Sequence, residues 1–231
     1  VPVARYRLEG STAIVEMDDG KANALSHAMV DELLDALGRA EREARAVVLA
    51  GRPDRFCAGF DLKVMTSGLD AAKALLLRGA DLLVRLYGSP LPVVAACTGH
   101  ALAAGALVLL TADLRVGAQG AFRIGLNEVS IGLPTPVFAT ELARDRLATA
   151  DLVRATLLAH VYGPDEAARV GFLDAIVAPT DVVARAVEEA GRLGALSRMA
   201  FQGTKQRLRA RTIAHVLSTL EEDLRAIRWG E

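Results

Sequence analysis

Short, wholly apolar runs alternate along this chain with stretches whose apolar residues recur every three or four positions. Tyr6–Leu8 and Thr12–Met17 flank a Glu9-Gly10 turn and predict an opening hairpin. Ser26 has the character of an N-cap, and Met29, Leu33, Leu34 and Leu37 follow at helical spacing to about Ala44. Ala46–Ala50 (A-V-V-L-A) and Val93–Ala96, bounded by Gly51 and by Pro90 and Pro92, predict strands buried on both faces. Leu114–Val116 and Ala175–Val177 predict two more. Helical spacing returns over Leu69–Gly88, Thr135–Leu147, Thr149–His160 and Pro164–Val170, and over almost everything from Asp181 to Trp229. Arg52–Gly59 reads as a loop, and Gly99–Asp113 as a loop entering an apolar helix. Buried strands alternating with helices predict an α/β fold. We read residues 1–180 as the core and 181–231 as a helical region, either a separate lobe or an oligomer contact.

Composition narrows the function classes. The 231 residues suit one large domain or one domain with a small appendage. With 27 basic and 28 acidic residues the net charge is −1, so no general attraction to nucleic acid or anionic lipid is expected. Apolar windows such as Ala101–Thr111 are too short to span a bilayer. The first residues lack a basic start and apolar run, and Cys57 and Cys97 are too few and too far apart for a disulfide scaffold, so the cytoplasm is expected. The thiols read as small core residues. His27, His100, His160 and His215 have no metal-ligand spacing, and His100 reads as structural.

Three stretches carry candidate chemistry. In F-C-A-G-F-D-L-K (Phe56–Lys63) the small Ala58-Gly59 pair allows backbone close to a ligand, although a plain strand-to-helix turn has the same residues. In G-H-A-L-A-A-G-A-L (Gly99–Leu107) small residues lead into a helix whose first N–H groups are free for an anion or oxyanion; tight helix packing reads the same way. In I-G-L-N-E-V-S-I-G-L (Ile124–Leu133) a lone carboxylate, Glu128, sits among apolar residues. It reads as a solvated loop residue, an ion-pair partner or an acid/base, and Asn127 before it either orients it or makes the turn.

Together with K-A-N-A-L-S (Lys21–Ser26), P-V-V-A-A-C-T-G-H, A-D-L-R-V and Pro164–Val177, these stretches resemble the crotonase (enoyl-CoA hydratase/isomerase) superfamily over nearly the whole chain. The resemblance implies a spiral of β-β-α turns with a C-terminal helical region, assembly as a homotrimer or dimer of trimers, and an acyl-CoA thioester as substrate. No cofactor is implied beyond the coenzyme A of the substrate, and no metal. It implies that the backbone amides of Phe60 and Ala104 form an oxyanion hole. Glycine is usual at the Ala104 position, but a backbone donor in helical conformation survives the change. It implies that Lys21, Ala22, Asn23, Ala24, Leu25, Ala58, Asp61, Leu62, Lys63 and Leu107 line the coenzyme A and acyl site. Lys63 is equally a phosphate contact or a solvated charge. Lys205 is a further candidate for a coenzyme A phosphate, in its own or a neighbouring subunit, although the run Lys205–Arg211 also reads as a plain helix face.

The same resemblance bears on the reaction. Hydratases of the family use two glutamates; here the first position is Leu107 and the second is Glu128. Leucine neither holds nor deprotonates water. Residues I-G-L-N-E, Leu107, and Leu133-Pro134-Thr135-Pro136 in place of the usual glycine-rich stretch are similar to mitochondrial-type Δ3,Δ2-enoyl-CoA isomerases. The expected activity is a 3-enoyl to 2-enoyl shift through an enolate, with Glu128 as base and an apolar pocket raising its pKa. The alternatives are a single-glutamate hydratase and a catalytically silent acyl-CoA-binding protein. Pocket shape is expected to depend on Met65–Leu77 and Val137–Leu142. An RNA-binding role has no support, because Arg39, Arg42 and Arg45 are mixed with Glu41 and Glu43.

Overall fold

The computed structural model describes residues 2–226. Strands β1 (Ala4–Glu9) and β2 (Thr12–Met17) form the antiparallel hairpin, turning at Gly10 with φ +58°. Helix α1 (His27–Glu43) follows, and the Ser26 hydroxyl accepts the Met29 amide at 3.2 Å, as its N-cap character requires. Three successive turns then each supply a longer strand, a short strand and a helix. The first holds β3 (Ala46–Ala50), β4 (Asp54–Cys57), the single-turn α2 (Leu62–Met65) and α3 (Leu69–Tyr87). The second holds β5 (Val93–Cys97), β6 (Gly99–Leu102) and α4 (Ala104–Thr111). The third holds β7 (Leu114–Ala118), β8 (Ile124–Gly125), α5 (Val137–Arg146) and the short α6 (Leu152–Ala155). Helix α7 (Pro164–Val170) leads to β9 (Ala175–Val177), and α8 (Val182–Gly194) and α9 (Arg198–Ala226) finish the described chain. The longer strands form a six-stranded sheet in the order β1-β2-β3-β5-β7-β9, parallel beyond the hairpin; the short strands stack as a parallel β4-β6-β8 sheet. This is the expected α/β spiral of β-β-α turns.

The period-two geometry of the buried strands divides the interior. Val47, Leu49, Val93, Ala95 and Cys97 face the helices of the spiral, whereas Ala46, Val48, Val94 and Ala96 face the other way. That second face is covered by Val182, Ala186 and Ala190 of α8, spaced by one helical turn. The boundary near residue 180 therefore falls at the start of α8, but α8 is part of the core rather than a separate lobe. Helix α4 (A-G-A-L-V-L-L-T) is apolar on every side and buried at every residue, at the centre of the molecule.

Three expectations are corrected. Arg52–Gly59 and the start of Gly99–Asp113 contain β4 and β6, whose partners lie tens of residues away, so no local period marks them. Thr149–His160 is helical only over Leu152–Ala155, apart from a single 3-10 turn before it; Leu157 and Leu158 are about two-thirds exposed, so their apolar spacing marks no buried face. The helical reading as far as Trp229 extends outside the described residues. Lys205 is buried, with its Nζ 2.7 Å from Asp113 Oδ2 and 3.2 Å from the Leu91 carbonyl, so it does not reach out to a phosphate. Arg209 is buried beside it, 2.9 Å from Asp113 Oδ1 and stacked 4.2 Å over Tyr87. Burial presses the Lys205 ammonium down to about 8, against the pull of Asp113.

Asp113 compensates two buried cations that dock α9 on the core. Asp113→Ala is expected to cost about 3–5 kcal/mol in denaturant unfolding, because it strands those charges. Glu221→Ala, at the exposed pair with Arg225, is expected to cost under about 1 kcal/mol. Similar losses in the two variants would refute a buried-charge origin for α9 docking.

Candidate functional site

Backbone crowding builds the site. A Cβ on Gly105, in the first turn of α4, would lie 2.1 Å from the Cys57 carbonyl oxygen, and one on Gly99 would lie 2.1 Å from Asp54 backbone. These glycines let the second turn of the spiral sit directly against β4. Past β4, Gly59 has φ +103°; a Cβ there would meet Ala103 Cβ at 3.0 Å and the Ala104 nitrogen at 3.5 Å. The segment after β4 and the start of α4 are thus in van der Waals contact.

The pairing of Leu25 with Phe60 orients one donor. Leu25 N–H donates to the Gly59 carbonyl and Asp61 N–H to the Leu25 carbonyl, both bonds flanking Phe60. Phe60's own amide therefore points away from Leu25, and among the described residues it has no acceptor. Ala104 is the first residue of α4, with helical geometry, and its amide likewise has none. Gly79 of α3 makes room for the Phe60 ring, since a Cβ there would come within 2.2 Å of it. Ala103, the helix N-cap, adopts φ +48° and ψ −124°, a conformation that suits glycine.

Phe60 and Ala103, the residue before Ala104, border a largely apolar cavity of about 260 Å³. Ala58, Leu76, Leu107, Asn127, Glu128, Leu133 and Pro134 line it with them. Glu128 is the one titratable side chain among the described residues that line it. A 3-10 turn, Val129–Ile131, holds it in place: the Glu128 carbonyl accepts the Ile131 and Leu133 amides, each at 3.0 Å. Glu128 is 8% exposed, and its Oε2 is buried without a hydrogen-bond partner. Burial pushes its carboxyl up to about 7. Glu128 is thus neither solvated nor ion-paired. Asn127 Oδ1 is also buried and unpartnered.

The other sequence-derived residues separate into groups. Leu62 and Ala58 lie at the cavity mouth and are exposed, and Leu107 lies inside. Asp61 caps α2, its carboxylate accepting the Lys63 amide at 2.9 Å, and the Lys63 side chain is exposed. Asn23 is fully buried with φ +55°, and its side-chain amide donates to the Met17, Arg55 and Phe56 carbonyls. It ties the Lys21–Leu25 loop to β4 instead of facing a ligand, as does the Ala58 amide donated to the Ala22 carbonyl at 3.1 Å. Leu25 is buried, Lys21 exposed, and Ala22 and Ala24 half-buried. The sequence reading missed Asp19, whose carboxylate accepts the Lys21, Asn23 and Ala24 amides and shapes this loop. The D-D-G tripeptide Asp18–Gly20 was the available signal. It also missed the strain at Ala103, which no local pattern announces. His100 is outside the cavity, where its Nδ1 accepts the Arg123 amide at 3.0 Å. Burial pushes the Cys57 and Cys97 thiols up to about 12, so both stay protonated core groups. Among the described residues no cluster of His, Cys, Asp and Glu has the makings of a metal site, and no helix is long and apolar enough to cross a membrane.

Two stability measurements follow. A carboxyl raised from 4.5 to about 7 in the folded state has its full stabilising contribution below the unfolded value and loses it as pH rises through the folded one. Glu128→Gln is therefore expected to gain about 3 kcal/mol over wild type between pH 4 and pH 8. A constant difference across that range would contradict the burial of Glu128. Ala103→Gly is expected to raise stability by about 1 kcal/mol by relieving backbone strain; a loss would show that the alanine conformation is unstrained.

The chain is similar to known proteins in sequence and in fold. The family described as enoyl-CoA hydratase/isomerase matches residues 7–227. A Rhodobacter capsulatus protein named probable enoyl-CoA hydratase is 37% identical over 172 residues, which are 73% of this chain and 66% of that protein. Human mitochondrial enoyl-CoA delta isomerase 1 is 30% identical over 217 residues, 92% of this chain and 72% of that one. The apo structure of an enoyl-CoA isomerase from Mycobacterium tuberculosis superposes with a TM-score of 0.93 at 38% identity, covering 97% of this chain and 99% of that one. Hydratases and isomerases both stand among the similar proteins. The chain belongs to the enoyl-CoA hydratase/isomerase family, the crotonase superfamily, and is an enzyme of that family.

Proposed function

We propose that this protein shifts the double bond of a 3-enoyl-CoA thioester to the 2-position with Glu128 as the only base. The observation that carries this reading is a single buried carboxyl, one oxygen of it without a hydrogen-bond partner among the described residues, in a largely apolar cavity that Phe60 and Ala103 line, with the free amides of Phe60 and Ala104 beside it. The thioester oxygen takes the Phe60 and Ala104 amides. Glu128 removes a proton from C2, which the adjacent carbonyl acidifies. The C2–H electron pair moves into the C2–C1 bond and charge gathers on oxygen, where the amides already point, so they need not reorganise. The protonated Glu128 then delivers the same proton to C4, the double bond settles between C2 and C3, and the carboxylate is regenerated. No water enters. A carboxyl near pH 7 suits both steps, because neither its base nor its acid form is scarce. Leu107, 1% exposed, keeps hydrocarbon where a second carboxylate would hold water.

Hydration is the second reading. Asn127 Oδ1 is a buried acceptor without a partner next to Glu128, and the pair would suit one water. The two readings part in heavy-oxygen water. The isomerase converts trans-3-enoyl-CoA to the 2-enoyl ester without oxygen uptake, whereas rapid label entry into trans-2-enoyl-CoA would replace it with the hydratase. Binding of both esters without turnover would leave a binding protein. Glu128→Gln is expected to cost about 10²–10⁴-fold in kcat. In wild type, kcat/KM is expected to rise with pH to a plateau above about 7, because the base must be ionised. The same reading includes the homotrimer or dimer of trimers; the exposed Leu157 and Leu158 are apolar surface that an assembly would cover.

A further inference from the structure

Phe138, on the first turn of α5 and 2% exposed, is one of the residues that line the cavity. The same side chain borders a second crevice between α3, α5 and α9, lined also by Leu83, Val84, Leu142, Ile213 and Val216. That crevice has a volume of about 10 Å³, far smaller than the cavity. Its two polar residues are already engaged: the Tyr87 and Thr212 hydroxyls both donate to Asp145 Oδ2 at 2.6 Å. A guest entering there would meet hydrocarbon. The backbone under Phe138 is pinned, because the Val137 amide donates to Asp223 Oδ2 of α9 at 2.7 Å in place of a cap from Pro136.

We propose that Phe138 sets the acyl-chain length this site accepts, its ring being the partition between the 260 Å³ cavity and the small crevice under α9. The inference rests on the acyl-thioester reading of the site. A methylene occupies about the volume of a water, so the cavity holds an acyl group of on the order of eight carbons. Longer tails meet the ring. With the ring removed, the crevice becomes the continuation of the cavity, and a longer tail runs between α3, α5 and α9.

The test is a binding series with saturated butanoyl-, octanoyl-, dodecanoyl- and hexadecanoyl-CoA by calorimetry, run beside turnover of the matching 3-enoyl esters. In wild type, affinity is expected to rise by about fourfold per methylene until the cavity is full, then to level off or fall. Phe138→Ala is expected to move the break beyond octanoyl and to raise the hexadecanoyl-to-octanoyl affinity ratio by roughly tenfold or more, since several added methylenes become buried. Adding Val216→Phe, which refills the crevice, is expected to restore the wild-type break. Should Phe138→Ala not fold, Phe138→Leu carries a smaller shift of the same sign, and the ratio between chain lengths does not depend on the active fraction. An unchanged break in the folded variant overturns the proposal, and so does an unaltered shift after Val216→Phe. A shifted break without turnover of any ester keeps the proposal and removes the isomerase; turnover with an unmoved break does the reverse.

Discussion

The close approach of β4 to the start of α4 is the constraint on which the rest depends. Gly105 and Gly99 leave no space for a side chain between successive turns of the spiral. That contact brings the segment holding Phe60 close to the start of α4, at Ala104, although the two are far apart in sequence. The donors are backbone groups, so their direction is set by helix and strand geometry and not by rotamers that must be frozen. The strain at Ala103 has the same origin: the chain turns abruptly from β6 into α4 to present a bare helix start.

The molecule treats buried charge in two opposite ways. Around Asp113, Lys205 and Arg209 are paired and hydrogen-bonded, which offsets their desolvation and fixes α9 on the core. Glu128 has no such compensation, and its carboxyl is left where ionisation is unfavourable. The first arrangement serves stability. The second lowers stability at neutral pH and leaves a carboxyl able both to take and to give a proton. Helix α9 links the two: held by the buried cations, it donates Asp223 to the start of α5 and so backs the wall on which Phe138 sits.

Long-period and wholly apolar features were legible from residues alone. Helices α1, α3, α5 and α7 and strands β2, β3 and β5 fall where spacing places them, because each buries a face or both faces of its own segment. The two-residue and four-residue strands β4, β6 and β8 were not, because they are held by partners from other turns. The residues of the site were nominated by resemblance; that Glu128, Phe60, Leu62, Ala58 and Leu107 border one cavity is a fact of packing. Lys205 shows the opposite failure. A basic residue on a polar helix looks solvated until Asp113 and the Leu91 carbonyl are brought against it.

The sequence by itself determined the α/β class and the absence of a carboxylate at Leu107, since each depends on residue identity or on a period within one segment; the succession of β-β-α units entered only through the resemblance. Tertiary structure alone decided that Asn23 ties its loop to β4, that Glu128 is buried with its Oε2 lacking a partner among the described residues, and that Phe138 lines two cavities. Solvation and adjacency are properties of the space between segments distant in sequence. A chain read one window at a time contains no measure of that space.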